Sequence, residues 1–334
     1  MSKGRKSISR AIVGYHSFGL IIGFIFLLIV AWFITPQMYS FFSITSMLRN
    51  NAAFALLAIG MMFVIITGGI DLSVASTMSL GGITSVLLMY ENPSVPAVVW
   101  LLLGIVIGAV CGAFNGVLVG YFKMIPMIAT LGTMYIFRGL AFVVSGGDWW
   151  FPHQFSDEFA NLSIGRTLGI FNILWIVLVV AILAVIFLGY TAPGRRIYAV
   201  GTNRESARIA GIRQDRTIFM AFTLCGALAG MAGVLYSANY SVANSNMGLG
   251  FEMQTIAICI LGGVSIAGGR GKVDGVIIAF LMMSVITYFI SMLPGLSVWQ
   301  NAIQGSIILV AVALNIFVTR SATRRALKER GALI

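Results

Sequence analysis

Residues 95–122, VPAVVWLLLGIVIGAVCGAFNGVLVGYF, run without a single charged side chain. A helix crossing the hydrocarbon core of a bilayer needs roughly 20 apolar residues, and this stretch exceeds that. The remainder of the chain agrees with it. Of 334 residues, 59% are hydrophobic and 9% charged, against about 25% charged in a typical soluble domain, and the mean hydropathy is +0.99. Soluble globular, disordered and disulfide-scaffold classes are therefore excluded. Cys111, Cys225 and Cys259 lie inside apolar runs without ligand spacing, so they read as packing residues.

On either side of this run the same criterion finds an all-α integral membrane protein of about ten spans: 18–34, 52–67, 73–90, 95–122, 125–144, 170–190, 217–240, 253–266, 275–293 and 298–318. The segments at 52–67 and 253–266 are short and run into the glycine pairs Gly68-Gly69 and Gly268-Gly269. Such a pattern suits tight hairpins or broken helices shielded by neighbours, because exposed irregular backbone is not tolerated in lipid. The first span follows Lys3, Arg5, Lys6 and Arg10 but precedes no small-residue cleavage site, so it reads as an uncleaved anchor. With ten spans and both termini in the cytoplasm, 18 of the 21 basic residues fall inside, as the positive-inside rule requires. The formal charge of +11 then records topology and calls for no nucleic acid. This gives a cytoplasmic tail at 1–17, a transmembrane domain at 18–318 and a second basic tail at 319–334.

Within the spans, Gly104, Gly108, Gly112, Gly116 and Gly120 recur every fourth residue on one helix face. Small-xxx-small rows bring helix backbones together and indicate packing. Asn115 beside that row is either an interhelical hydrogen-bonding group or part of a pore lining. In the next span Thr130, Thr133 and Arg138 are further polar candidates for a translocation path. Intramembrane charge is costly and usually faces protein or water, although Arg138 lies close enough to the outer end to snorkel. Asp71, in TGGIDLS, follows paired glycines and precedes a new helix, where Asp71 itself or Ser73 would serve as a cap.

The loops are too short for a soluble catalytic domain. Gly268-Gly269-Arg270-Gly271-Lys272 superficially suggests a phosphate loop, but Ile266 and Val273 stand where a Walker A motif needs Gly and Ser or Thr. No metal, nucleophile or paired-carboxylate pattern is present, so the chain carries no catalytic residues and no cofactor of its own. The inner loop 191–216 is the most structured non-membrane segment. Thr202-Asn203-Arg204-Glu205 has capping-box spacing, and Gly211 supplies a left-handed stop. The resulting helix over 203–210 is either an interfacial element on anionic lipid or a docking knob for a cytoplasmic protein. On the outer side, 146–152 is aromatic, and Asp148, Asp157 and Glu158 are candidates for meeting a basic partner.

Four strings, IGMMFVIITGGIDLSVAS (59–76), FNGVLVGYFKMIPMIATLGTM (114–134), GRRIYAVGTNRESARIAGI (194–212) and FEMQTIAICILGGVSIAGGRGKVDG (251–275), resemble the inner-membrane permeases of bacterial ribose-type ABC sugar importers. The resemblance covers about residues 45–318 in family order, with Ala75 departing from the glycine many members carry. It implies a partner ATPase that binds the ATP, a periplasmic sugar-binding protein and a second permease subunit. It also implies that 203–210 is the coupling helix, with Gly201, Asn203, Glu205, Arg208 and Gly211 matching the family motif. Asp71 matches a family motif without a derivable role. The implied activity is import of a pentose, hexose or deoxy sugar, or of the furanose-like autoinducer-2. A stand-alone secondary transporter is the rival, disfavoured because no Asp or Glu lies in mid-span.

Overall fold

Proline and glycine punctuate the apolar runs and set where the helices begin and end. The computed structural model describes residues 16–293 and, beyond them, 295, 297–299, 302, 303, 305, 306 and 309. Twelve α-helices occur among the described residues. In chain order they are α1 (His16–Ile34), α2 (Phe41–Ile66), α3 (Val74–Glu91), α4 (Ala97–Gly116, extended to Tyr121 by a π turn), α5 (Pro126–Ser145) and α6 (Asp157–Ile164). They continue with α7 (Asn172–Tyr190), α8 (Ala192–Thr202), α9 (Arg204–Ile209), α10 (Gln214–Tyr240), α11 (Phe251–Leu261) and α12 (Val273–Met292). A two-stranded hairpin, β1 (Arg166–Thr167) with β2 (Ile170–Phe171), links α6 to α7. Pro96 precedes α4, Pro126 opens α5, and Gly146 closes α5 in the left-handed region at φ 64°.

Among the described residues six helices, α2, α4, α5, α7, α10 and α12, are long and apolar enough to cross a membrane. The polytopic, mostly helical class therefore stands; the other four expected spans fall on α1, α3, α11 and the largely undescribed run 298–318. α3 is 18 residues long and less apolar, with Ser76, Thr77, Ser79 and Ser85 buried against its neighbours. α11 has 11 residues, roughly 16 Å at 1.5 Å per residue, about half the hydrocarbon core. The expected run 298–318 and both tails lie essentially outside the described residues. The second segment is a correction: α2 starts at Phe41, where the Ser40 hydroxyl accepts the Ser43 N–H at 3.1 Å, and not at Ala52. The polar residues 49–51 had cut the apolar run short, yet their side chains are accommodated within the helix.

At the centre of the molecule, α2 is buried on every side from Ala52 to Ile66, as an all-round apolar helix must be. Against it and α3 lies α10, whose most extensive partner is α4. The glycine row of α4 permits this. A Cβ on Gly108 would stand 2.1 Å from the Gly226 carbonyl oxygen, and one on Gly226 would stand 2.2 Å from that of Gly108. The row is a packing device, as its spacing indicated.

Candidate functional site

At the end of the bundle where α10 begins, the chain builds a projecting knob. The Thr191 hydroxyl accepts the Gly194 N–H at 3.1 Å and caps α8. Asn203 ends α8 and, in extended backbone, caps α9 by accepting the Ser206 N–H at 2.9 Å. The expected capping box does not form. Thr202 remains in α8 and donates its hydroxyl to the Tyr198 carbonyl, which moves the cap one residue on and leaves Glu205 to pair with Arg208 at 2.6 Å. Gly211, at φ 76°, ends α9 as expected. Its N–H bonds the Arg208 carbonyl at 3.0 Å, and the Ile212 N–H bonds that of Ala207 at 2.9 Å, a complete Schellman stop.

Ala207 turns inward, whereas Ile209 is 78% exposed and carries the apolar tip of the knob. The base of the knob is rigid. A Cβ on Gly201 would stand 1.7 Å from the Ile66 carbonyl oxygen at the end of α2, and that same oxygen accepts the Gly269 N–H at 2.9 Å. The Tyr198 hydroxyl donates to the Gly271 carbonyl at 2.8 Å; burial and the nearby Asp274 charge push its pKa up. Gly201 thus serves close approach to α2, while Asn203, Glu205, Arg208 and Gly211 stand exposed. Beside the knob, a cleft of about 710 Å³ is lined by Arg195, Arg196, Arg213 and Arg216.

A buried polar cluster ties α3, α4 and α5 together. Asp71, 1% exposed, accepts the Ser73 N–H at 2.9 Å and the Ser73 hydroxyl at 2.6 Å. Asn115 donates through Nδ2 to Ser73 Oγ at 2.8 Å and to Asp71 Oδ1 at 3.4 Å. Thr130 accepts the Leu72 N–H at 3.0 Å and donates to the carbonyl of Pro126 at 2.8 Å. Thr133 donates to Thr130's carbonyl at 3.2 Å. The structure encloses all four residues; Asn115 and Thr130 bond from α4 and α5 to the 70–73 turn, while Thr133 bonds within α5.

Arg138 is half-buried and clamps the 241–250 loop. Its Nη1 donates to the carbonyls of Ser245 at 2.7 Å and Met247 at 2.8 Å. The same loop is pinned to the 146–152 segment, where Trp150 and Ala243 exchange backbone hydrogen bonds. Among the described residues no carboxylate lies within ion-pairing distance of Arg138. Of the outer acids, Asp148 and Asp157 are exposed, and Glu158 uses Oε1 to accept the Ala97 N–H at 3.1 Å, capping α4.

The sequence reading missed a cavity of about 560 Å³ at the opposite end of α10, between α2, α10, α11 and α12. Asn51 and Gln254 contribute amides to it; Tyr236, Tyr240 and Phe251 contribute rings. Asn50-Asn51 inside an apolar helix and tyrosines four residues apart were the available signals. The span boundary placed at Ala52 hid the first of them.

A model of the family described as branched-chain amino acid transport system, permease component, matches residues 43–312. Among curated proteins, the chain is 32% identical over 298 residues to the ribose import permease protein RbsC of Escherichia coli K12, covering 88% of this chain and 92% of that one. It is 35% identical over 288 residues to the autoinducer 2 import system permease protein LsrC of Salmonella paratyphi B, covering 85% and 82%. No solved structure matches the chain at a comparable level of significance.

Proposed function

The chain belongs to the family of transport-system permease components that matches its residues 43–312, and from that membership we propose that it carries a monosaccharide through the bacterial inner membrane as the permease of an ABC importer. The observation that carries this reading is the capped helix α9, exposed at its tip and seated through Gly201 on the end of α2. An ATPase subunit receiving that knob would move α8, and α8 bears directly on the most buried helix of the bundle. ATP is bound and hydrolysed by that partner; this chain is not an enzyme. Similarity to a ribose permease favours a pentose or related sugar, and similarity to an autoinducer 2 permease supports that ligand as the second reading.

In this arrangement ten spans place both termini, the knob and its arginines in the cytoplasm. A second permease subunit completes the membrane unit. A periplasmic sugar-binding protein docks on the other face, where Asp148 and Asp157 are exposed and Glu158 retains one oxygen. Asn115, Thr130 and Thr133 brace the helices beside the path, and Arg138 holds the 241–250 loop at its mouth. Asp71 orders the turn that starts α3.

The Glu205–Arg208 pair is exposed on both sides, so its removal leaves the fold intact. The double substitution Glu205→Ala with Arg208→Ala is expected to leave membrane insertion unchanged and to abolish coupling between ATP hydrolysis and sugar uptake. Wild-type uptake and binding-protein-stimulated ATPase in that variant would remove the knob from the mechanism.

A further inference from the structure

We propose that the cavity between α2, α10, α11 and α12 is a binding station for a neutral sugar ring, and that Tyr236, Phe251, Asn51 and Gln254 select what passes. The proposal rests on the permease reading above and deepens it by assigning residues to substrate recognition.

The walls supply two kinds of contact and omit a third. Tyr236 packs on Tyr240 with centroids 4.6 Å apart, and on Phe251 edge to face at 5.7 Å. Together they form an aromatic wall suited to the apolar C–H face of a sugar ring. Opposing polarity comes from amides and hydroxyls. Asn51 spends Nδ2 on the Met47 carbonyl at 2.9 Å; its Oδ1 takes no hydrogen bond among the described residues. The Gln254 amide and the hydroxyls of Tyr236 and Tyr288 likewise make none among the described residues. Polar groups lining a cavity without protein partners are those a ligand's hydroxyls can satisfy.

No Asp, Glu, Lys or Arg lines the cavity among the described residues. A zwitterionic amino acid, the cargo class in the family's description, would arrive with a carboxylate and an ammonium; the Arg49 guanidinium beside the lining is already bonded to Asn50 Oδ1, and among the described residues no acidic side chain lines the cavity to receive the ammonium. Removing those charges from water without a partner is expensive. A polyhydroxylated neutral ring meets no such penalty. The volume, about 560 Å³, lies within the roughly 300–1,000 Å³ typical of small-molecule sites.

The cavity is also placed for gating. Its polar floor at Asn51 and the knob contact at Ile66 lie on the same helix, roughly 22 Å apart at 1.5 Å per residue. Displacement of α2 by α8 would reshape the station directly.

The test uses the complete importer in cells. Uptake of radiolabelled D-ribose, 2-deoxy-D-ribose, D-glucose, D-galactose, autoinducer 2 and L-leucine is first compared with and without the gene for this chain. Gln254→Leu combined with Tyr236→Phe is then expected to cut uptake of the dependent sugar by about tenfold or more, with binding-protein-stimulated ATPase within twofold of wild type. As a second measurement, Gln254→Cys is expected to react with a membrane-impermeant maleimide from outside and to be protected by that sugar. The three native cysteines are buried and give little background. Dependence on L-leucine alone would overturn both the sugar reading and the station. Sugar dependence with wild-type uptake in the double variant, or an unprotected cysteine, would overturn the station while leaving the permease reading in place.

Discussion

Thr130 shows what a single hydroxyl does in this protein. It accepts the Leu72 N–H, a backbone donor with no other acceptor among the described residues, and has one proton to donate, to the Pro126 carbonyl at 2.8 Å on its own helix, with the Ile70 carbonyl 3.2 Å away. Thr130→Val keeps the volume and strands that buried N–H. We expect it to lower unfolding free energy by about 1–3 kcal/mol, while Thr130→Ser stays near wild type; denaturant titration in detergent measures both. Asp71 illustrates how far a residue's role was legible. Its bond to the Ser73 N–H is local, an Asx turn just before α3, and not the helix cap that TGGIDLS suggested, since Ser73 at the N-cap makes no side-chain capping bond. Its link to Asn115 spans 44 residues, and nothing in a periodicity argument pairs two polar groups on different helices. The polar candidates in the spans were therefore found as residues, but their mutual contacts and their enclosure came only from the fold. Arg138 is similar: burial was foreseeable, but its partners are loop carbonyls more than a hundred positions away.

Among the elements, α4 and α10 depend on glycine at their crossing, and this was readable because the spacing lies within one helix. The glycines of α10 that complete the contact, Gly226 and Gly230, follow the same rule but stood in a span read only for length. Gly108→Leu would drive side-chain carbon into the Gly226 carbonyl and force the helices apart, and overpacking of this kind typically costs about 1–3 kcal/mol or more. Its yield of monodisperse protein by size-exclusion chromatography of detergent extracts is expected to collapse. Gly132→Ala, where an added Cβ meets nothing within 4 Å, is expected to match wild type. Helix α9 was also legible, including its Gly211 stop. Its start was displaced by one residue because Thr202 had two competing roles, and the extra turn of α8 won it. The two short spans had opposite fates. Polar residues at 49–51 concealed the first half of α2, whereas α11 is short in fact.

For the whole molecule, one buried helix, α2, joins two features, one at each end. The knob sits at the end of α2 marked by Ile66, and the aromatic and amide cavity sits near Asn51. Composition alone pointed to this layout: the chain has charge on its knob and little along its spans. The family match agrees, since permease components work within larger systems. The cavity could not have been read from the sequence, because its walls come from four helices and Gly305, with lining residues more than two hundred positions apart. The most direct measurement is sugar uptake into proteoliposomes made with the purified chain alone, and then with its ATPase and binding protein added together with ATP inside the ATPase-facing compartment. We expect no accumulation with the chain alone and ATP-dependent accumulation with all components present. Concentrative uptake by the chain alone would contradict the account.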